Sequence, residues 1–149
     1  MAPYQGRLEM SAEPHIDFAA GVLVLNDRDE VLLIKRRQDA HVAPGLWTRP
    51  IGKVKFGETS VQAAVRETLE ETDVIVEIPS AAPHDVWESI HLNEGRHCVV
   101  REHLGRYVSG EARNTEPDKH DNVQWFPLTD LPSNLSLGTS KAINLVRKS

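Results

Sequence analysis

Three glutamates in one short segment have the spacing needed to act together on a cation. Glu67, Glu70 and Glu71 stand at i, i+3 and i+4, so a helix would place their carboxylates on one face. Like charges at these spacings destabilise a helix by about 0.2–0.5 kcal/mol per pair. Arg66 can offset part of this repulsion, and a divalent cation could offset the rest, since carboxylates and substrate phosphates commonly hold Mg²⁺. The alternative is an ordinary solvated acidic face.

A helix that begins after a glycine turn must position these glutamates. The segment from Gly52 to Val74 opens with a turn that contains Gly57 and continues with a helical pattern. Thr59 and Gln62 predict a capping box at the start of this helix. Apolar spacing predicts a core face that lies opposite the glutamates and consists of Val61, Ala64, Val65, Thr68 and Leu69.

The full spacing of this segment resembles the Nudix box, the motif of the Nudix hydrolase family. It reads as Gly, five residues, Glu, seven residues, Arg-Glu, two residues and Glu-Glu, and it is formed by Gly52, Glu58, Arg66, Glu67, Glu70 and Glu71. Six chance matches at about 7 % per residue type have a probability of about 10⁻⁷ per starting position. The resemblance therefore outweighs the alternative of a plain acidic face.

Three positions depart from the usual family pattern. Ile51 and Asp73 stand where glycine is common, and Thr68 stands where the family usually has a large apolar residue. Thr68 can face the core through its methyl group, and Asp73 can end the helix because Asp tolerates left-handed backbone. The family often uses the backbone carbonyl at the position of Ile51 to hold metal, and isoleucine is unfavourable at positive φ. The backbone conformation of Ile51 therefore bears directly on that role.

A second segment narrows the resemblance to one branch of the family. The stretch TEPDKHDNVQWFPL is similar to a segment of the MutT-like and MTH-like nucleoside triphosphate pyrophosphohydrolases, in which an acidic loop precedes a strand and a Leu-Pro. In that branch a glutamate of the loop often completes the metal site or activates water. Glu116 is the candidate here, with Asp118 behind it, and an ordinary polar loop is the alternative.

The resemblance implies a role for each charged residue of the box. Arg66 would orient a glutamate through charge-assisted hydrogen bonds, and Glu58 would buttress the site. Either Glu67 or Glu116 could accept the proton of the attacking water. The catalytic candidates are Glu58, Arg66, Glu67, Glu70 and Glu116. The candidate ligands of Mg²⁺, with Mn²⁺ as an alternative ion, are the carboxylates of Glu67, Glu70 and Glu71 and the backbone of Ile51.

Residues outside the acidic cluster are candidates for binding substrate. Arg36 stands where Nudix hydrolases often carry a basic residue that meets phosphate. Arg49 and Lys53 flank the glycine turn and could contact polyphosphate. Asn134 lies in a region where the MutT-like branch can contact the nucleobase through an asparagine. Each of the four could instead be an ordinary polar surface residue.

Periodicity predicts about six strands and two helices, a mixed α/β layout. The predicted elements are a hairpin of Phe18–Leu25 and Val31–Ile34, a loop over residues 41–53, strands Val74–Ile78, Val86–Leu92 and His97–Val108, a strand ending at Trp125-Phe126, and a last helix capped by Thr139 or Ser140. Glu102 is either an inward carboxylate or an edge charge. The resemblance implies the Nudix fold, a curved mixed sheet between helices, over residues 17–149, with residues 1–16 as a tail or edge segment.

Composition narrows the class of protein further. The chain has 149 residues and a net charge of −5, which fits one domain and argues against binding a nucleic-acid polymer. No apolar run approaches the length of a membrane span. The single cysteine, Cys98, and the lack of an apolar signal core predict a cytoplasmic protein. The seven histidines show no zinc-binding spacing and are interpreted as scattered polar residues. A homodimer stays open.

Three functions remain as hypotheses. The first is a Mg²⁺-dependent nucleoside triphosphate pyrophosphohydrolase, including one for oxidised or unusual dNTPs, which releases the monophosphate and pyrophosphate. The second is a nucleotide-sugar or dinucleotide pyrophosphatase of the same fold. The third is a non-catalytic Nudix-fold binding module. The second segment favours the first hypothesis, and the intact glutamates argue against the third because a binding module need not keep a repulsive cluster.

Overall fold

The computed structural model describes residues 13–148, and within this range a mixed eight-stranded sheet lies between two α-helices. The strands are β1 Asp17–Leu25, β2 Glu30–Arg36, β3 Trp47–Thr48, β4 Ile51–Lys53, β5 Ile75–Glu77, β6 His84–His91, β7 Arg96–Ser109 and β8 His120–Pro127. The helices are α1 Ser60–Thr72 and α2 Leu137–Lys148. The predicted tail falls mostly outside the described residues, and the predicted domain boundaries stay a prediction.

Strand β1 organises the sheet. It runs parallel to β7 from the pair Asp17–Cys98 to the pair Leu25–Arg106. On its other edge it pairs antiparallel with β4 and, at its end, with β2. Strand β8 extends the sheet from β2, while β5 and β6 pair with β7. This topology brings β4, the end of β2 and the start of β8 to the region occupied by α1.

Alternate side chains of β1 enter two different cores, which is the pattern expected of a sheet covered on both faces. Val22 and Val24 pack with Ala63 and Ala64 of α1. Leu23 packs with residues of the other face, which include Trp47, Leu104, Ala142, Ile143 and Leu145. The predicted layout of a sheet between helices is therefore confirmed.

Most predicted elements are present, and the differences are local. The segment predicted as a loop over residues 41–53 contains the short strands β3 and β4. The predicted cap of the last helix is wrong, because α2 begins at Leu137, ahead of Thr139 and Ser140. The Oγ atom of Ser136 accepts a hydrogen bond from the backbone N–H of Thr139 at 3.3 Å. No helix within residues 13–148 is both long and apolar enough to cross a membrane.

Helix α1 begins and ends as its sequence predicts. The Oγ1 atom of Thr59 accepts from the N–H of Gln62, and the side chain of Gln62 accepts from the N–H of Thr59, which completes the capping box. Asp73 ends the helix at φ 63°, and its N–H donates to the carbonyl of Leu69 at 2.9 Å. Left-handed backbone is one that Asp tolerates, so the departure from glycine is accommodated.

The buried face of α1 differs from the predicted one. Val61 and Leu69, predicted to be core residues, are 38 % and 41 % exposed. The buried side consists of Ala63, Ala64, Thr68, Glu71 and Thr72. Small side chains let the helix lie close to the sheet, and the hydroxyl of Thr68 is satisfied by the carbonyl of Ala64 at 2.7 Å. One consequence is that Glu71 points into the protein.

Candidate metal and phosphate site

The carboxylate of Glu67 lies directly over Gly52, the glycine of strand β4. A Cβ atom built on Gly52 would lie 2.0 Å from Cδ of Glu67 and 2.3 Å from its Oε2. Any side chain at this position would therefore push Glu67 away from β4. Glycine is needed here for close approach rather than for backbone freedom, because Gly52 is not among the described residues with positive φ.

Arg66 ties the acidic residues of α1 to the preceding turn. Its Nε and Nη2 atoms donate to the two carboxylate oxygens of Glu58 at 2.7 and 2.9 Å. Its Nη1 atom donates to Glu67 at 2.8 Å and to Glu70 at 3.2 Å. The hydrogen bonds from Arg66 lower the pKa of Glu58 to about 2, and the Lys55 N–H adds to this effect. Arg66 thus holds the turn and fixes the orientation of Glu67.

Glu71 is a buried carboxylate with an unpaired oxygen. Its side chain belongs to a residue that is 9 % exposed, and its Oε1 has no hydrogen-bond partner among the described residues. Burial raises the pKa of Glu71 well above its ordinary value, and the charges of Glu67 and Glu116 raise it further. A hydrogen bond from the backbone of Ile51 and the charge of Arg36 act in the opposite direction.

The acidic loop before β8 is anchored on the end of α1. The N–H of Arg113 donates to the carbonyl of Thr72 at 3.0 Å, and the Oγ1 of Thr115 donates to the carbonyl of Glu70. The backbone of Glu116 accepts from the N–H of His120 at 3.0 Å, which closes the loop. These bonds bring Glu116 to the buried side of the helix, where its charge acts on Glu71. Asp118, the reserve candidate, is exposed.

Glu71, Glu116 and His120 form a compact group of ligand-type side chains. One ligand atom from each lies within 4.8 Å of the other two. His120 is 3 % exposed, and its Nδ1 is buried without a hydrogen-bond partner in the described part of the chain. Burial lowers the pKa of His120, and the charge of Arg36 lowers it further.

This group fits a divalent cation. Buried polar atoms are normally hydrogen-bonded, and Glu71 Oε1 is an exception that calls for an explanation. A buried carboxylate whose pKa is raised by burial and by neighbouring negative charges is the arrangement that a bound cation would relieve. The donor set of the site therefore suits a divalent metal ion, and Glu71 and Glu116 supply the oxygen ligands that Mg²⁺ takes.

Arg36 connects this group to a cavity. The cavity has a volume of about 330 Å³ and is lined by residues of β2, β6, β7 and the start of α2, among them Arg36, Trp87, His91, Arg96, Cys98 and Leu137. Burial lowers the pKa of Arg36, and the positive charge of Arg96 lowers it further. The negative charge of Glu71 raises it. Three arginines thus line the cavity, Arg36, Arg49 and Arg96, and the charge of Arg36 acts on the acidic group.

Arg49 lies in the interior and not at the phosphate position predicted for it. It is 3 % exposed, and its Nε and Nη2 atoms donate to the carboxylate of Glu102 at 3.0 and 2.5 Å. Glu102 is fully buried and also accepts from the Nε1 of Trp87 at 2.8 Å. Glu102 is therefore an inward carboxylate. Because the guanidinium of Arg49 is paired with Glu102, Arg49 stabilises the cavity wall and is not proposed as a phosphate contact.

Of the remaining predicted residues, Lys53 and Asn134 lie outside the cavity lining, whereas Ile51 lines the cavity and its backbone bonds to Glu71. Lys53 is exposed and forms an ion pair with Asp17 at 3.4 Å. Asn134 donates from its side chain to the carbonyl of Gly45 at 3.1 Å and is not part of the cavity lining. Ile51 sits in β4 paired with Gly21 and is not among the positive-φ residues, so its backbone is unstrained. Glu70 is half exposed beside Arg66.

Sequence reasoning missed two residues of this region, His120 and Arg96. By spacing alone His120 belongs with the scattered histidines, because no motif links it to Glu71, 49 positions earlier in the chain. The only local signal was its place directly after the acidic loop. Arg96 follows the turn between β6 and β7, and only the pairing of these strands places it near Arg36.

Known proteins are similar to this chain over most of its length. The family model of the NUDIX domain matches residues 15–147. A Bacillus subtilis (strain 168) protein, provisionally named an 8-oxo-dGTP diphosphatase, is 49 % identical over 114 residues, which are 76 % of this chain and 72 % of that protein. The dihydroneopterin triphosphate diphosphatase of Escherichia coli (strain K12) is 34 % identical over 108 residues, which are 72 % and 61 % of the two chains.

Solved structures show the same fold. One is the crystal structure of a MutT NUDIX hydrolase from Burkholderia pseudomallei, whose sequence is 34 % identical to this chain. The two structures superpose with a TM-score of 0.76 over 89 % of this chain and 98 % of the other. Several curated relatives are longer proteins, since the matched segment spans 31 to 61 % of the length of four of them. Because the family model covers residues 15–147, which carry the whole sheet and helix α1, the chain belongs to the Nudix hydrolase family.

Proposed function

We propose that this protein hydrolyses a nucleoside triphosphate, including an oxidised or non-standard dNTP, in a reaction that depends on Mg²⁺. Water attacks an internal phosphorus, the bridge between the α- and β-phosphates breaks, and the products are the nucleoside monophosphate and pyrophosphate. The observation that carries this proposal is the position of Arg36, which lines the cavity and also acts on Glu71.

The arrangement suits a polyphosphate that runs from the cavity to the acidic group. The nucleoside would occupy the cavity, whose volume of about 330 Å³ lies at the lower end of ligand pockets. Arg36 would contact the phosphates between the two places, because a guanidinium pairs well with phosphate oxygens. Arg96 is a second contact of the same kind. Lys53 and Asn134 stay predicted substrate contacts, although both lie outside the cavity lining.

Glu71 and Glu116 are the proposed oxygen ligands of the ion, and Glu70 and the backbone of Ile51 stay predicted ligands. Glu67, which the sequence also predicts as a ligand, is proposed as the base instead. When bound, a divalent ion neutralises developing charge on the phosphates and lowers the pKa of bound water. The buried carboxylate of Glu71 and the half-buried carboxylate of Glu116 hold the position for it. Metal ions such as Mn²⁺ can take the same oxygen ligands.

Glu67 is the proposed acceptor of the proton from water. Arg66 holds one of its oxygens at 2.8 Å, and the other oxygen lies over Gly52. Arg66 and Glu58 position this carboxylate through their paired hydrogen bonds. Glu116 is the alternative acceptor, but it belongs to the compact ligand group, so we assign it to the ion.

The relatives support a triphosphate substrate. The names of the Bacillus subtilis and Escherichia coli relatives both refer to the diphosphatase reaction of a triphosphate. A Caenorhabditis elegans Ap4A hydrolase at 25 % identity and a TM-score of 0.68 supports the alternative of a dinucleotide substrate. The nature of the products separates these alternatives. A cytoplasmic location and a homodimer stay predictions.

The test is a product analysis over nucleoside triphosphates, oxidised triphosphates, nucleotide sugars and dinucleoside polyphosphates with Mg²⁺. We expect release of pyrophosphate from at least one triphosphate, and loss of that release in Glu71→Gln and when the metal is chelated. Release of a sugar phosphate or a nucleoside polyphosphate, without pyrophosphate from any triphosphate, would replace the proposal by the alternative. No metal-dependent hydrolysis of any of these compounds would leave a binding module.

A further inference from the structure

His120 has the burial and the unused nitrogen that a metal ligand would have. It is 3 % exposed, and its Nδ1 is buried without a partner among residues 13–148. A ligand atom of its ring lies within 4.8 Å of ligand atoms of Glu71 and Glu116. Buried polar atoms without partners are uncommon in folded proteins, and here a second one, Oε1 of Glu71, belongs to the same group.

The strand that carries His120 is irregular at this residue. In the antiparallel pairing of β2 with β8, Lys35 pairs with Asn122 and Arg36 pairs with His120, so Asp121 is an extra residue. A β-bulge of this kind shifts the alternation of side chains, and such bulges recur next to active sites, where they redirect a side chain. With regular pairing, Asp121 would stand opposite Arg36. The bulge places His120 there instead.

The backbone on both sides fixes this placement. The N–H of His120 donates to the carbonyl of Glu116 at 3.0 Å, and its carbonyl accepts from the Nδ2 of Asn114 at 2.7 Å. The N–H of Glu116 donates to the Oδ1 of Asn114 at 3.2 Å. Glu116 and His120 are thus held as one unit, so that both side chains reach Glu71 together.

We propose that His120 is a nitrogen ligand of the cation held by Glu71 and Glu116, and that it makes the site prefer Mn²⁺ to Mg²⁺. Mg²⁺ is a hard ion that takes oxygen ligands and binds with strict octahedral geometry. Imidazole nitrogen is a better ligand for first-row transition ions. The inference extends the proposed function, since it names the ion preferred at the same site, but its test does not use catalysis.

The direct test is electron spin-echo spectroscopy of the full chain with one equivalent of Mn²⁺ and no nucleotide. We expect a ¹⁴N modulation from the ring of His120, which changes to the ¹⁵N pattern when the protein is grown with ¹⁵N-histidine. In His120→Gln the modulation disappears, because a glutamine amide can offer its oxygen. In His103→Gln it persists. His103 is a matched control, since it is also 3 % exposed but bonds to Ser60 instead.

A competition experiment tests the preference between ions. Mg²⁺ is titrated against the Mn²⁺ complex, and the free Mn²⁺ signal gives the ratio of the two affinities. We expect this ratio to shift toward Mg²⁺ by about tenfold or more in His120→Gln, since even outer partners of metal ligands change affinity by about 10–100-fold. The His103→Gln ratio should equal that of the unmodified chain.

Each outcome decides the inference. Absence of ¹⁴N modulation in the unmodified chain, or an unchanged ion preference in a folded His120→Gln protein, overturns it. If His120→Gln does not fold, as judged by circular dichroism, the isotope exchange in the unmodified chain decides alone. Release of pyrophosphate without nitrogen coupling would refute only this inference, and nitrogen coupling without pyrophosphate release would refute only the proposed function.

Discussion

The substitution Glu71→Gln is expected to stabilise the metal-free protein while it removes activity. Glu71 is buried, its Oε1 has no partner within residues 13–148, and it is repelled by Glu67 and Glu116. Glutamine keeps the shape and the unpaired oxygen but removes the charge. If the carboxylate is kept for a metal ion, the protein without the ion should be strained at this residue, and the amide should relieve that strain.

The expected gain follows from the charge that the substitution removes. Exposed like charges at i and i+4 destabilise a helix by about 0.2–0.5 kcal/mol, and the burial of Glu71 strengthens its repulsion by the half-buried Glu67. An unpaired buried group costs about 1–3 kcal/mol and a charged one costs more, so exchanging the carboxylate for an amide removes only the difference between the two costs. We therefore expect a net gain of about 1–2 kcal/mol, which corresponds to a rise in Tm of about 2–8 °C for a chain of this size.

With Mg²⁺ bound, the unmodified chain should have a higher Tm than Glu71→Gln, the reverse of the metal-free order. An ion at 100 times its Kd stabilises the folded state by about 2.7 kcal/mol, which corresponds to a rise of about 5–10 °C in the unmodified chain. Glu71→Gln should show little of this rise, and its pyrophosphate release should fall at least about 100-fold, as for removal of a main source of transition-state stabilisation. Differential scanning calorimetry in chelator and in Mg²⁺ measures both shifts. Glu111→Gln, at an exposed position, is the control.

Two results would refute this reasoning. One is a metal-free Tm that falls in Glu71→Gln, which would mean that the carboxylate stabilises the fold through interactions with the protein. The other is an unchanged rise of Tm with Mg²⁺, which would mean that the ion binds elsewhere. Glu111→Gln should behave as the unmodified chain in both conditions.

Three further predictions follow from the geometry of the site and the fold. Glu67→Gln should lower kcat by about 100-fold with Mn²⁺ affinity nearly retained, whereas Glu116→Gln should weaken Mn²⁺ binding by about tenfold or more, as measured by kinetics and ion titration. Gly52→Ala should lower kcat by about 100-fold, because its Cβ would displace Glu67 and misplacement by about 1 Å can have that effect. Burial lowers the pKa of His103 from 6.5 to about 4, so the unfolded chain takes up a proton at a higher pH than the folded protein does. The free energy of unfolding should therefore decrease as pH falls from 6.5 to about 4. His103→Gln should remove this part of the pH dependence, as measured by urea unfolding.

Each of these predictions has a result that contradicts it. Equal loss of ion affinity in Glu67→Gln and Glu116→Gln would show that Glu67 is a ligand of the ion as much as Glu116 is, and would contradict its assignment as the base alone. Full activity of Gly52→Ala would show that Glu67 does not need its place over β4. A difference between the His103→Gln and unmodified stability curves that is constant from pH 7 to pH 4 would show that His103 does not stay neutral in the fold.

Local patterns in the sequence were enough to predict the helix that carries the site. Thr59 and Gln62 form the predicted capping box, and Asp73 ends the helix in left-handed backbone. These interactions join residues within a few positions, so short-range spacing reveals them. The buried side of the same helix could not be predicted in this way. Hydrophobicity favoured Val61 and Leu69, whereas packing against the sheet selected small residues and the buried Glu71.

The partners of distant residues depend on strand pairing and bulges, which the sequence does not reveal by itself. Arg49 and Glu102 are 53 positions apart and meet only because β4 and β7 both pair with β1. The family resemblance was enough to single out Glu116, and its loop does reach Glu71. His120 was missed because a single extra residue in β8 decides which side chain stands opposite Arg36.

Anomalous diffraction from crystals soaked in Mn²⁺ with a non-hydrolysable nucleoside triphosphate analogue would locate the metal ion and the phosphates directly. We predict an anomalous peak within bonding distance of Glu71, Glu116 and His120, with the phosphates of the analogue between that peak and Arg36. A peak bound only by exposed carboxylates such as Glu70, or no peak beside an ordered analogue, would contradict the account.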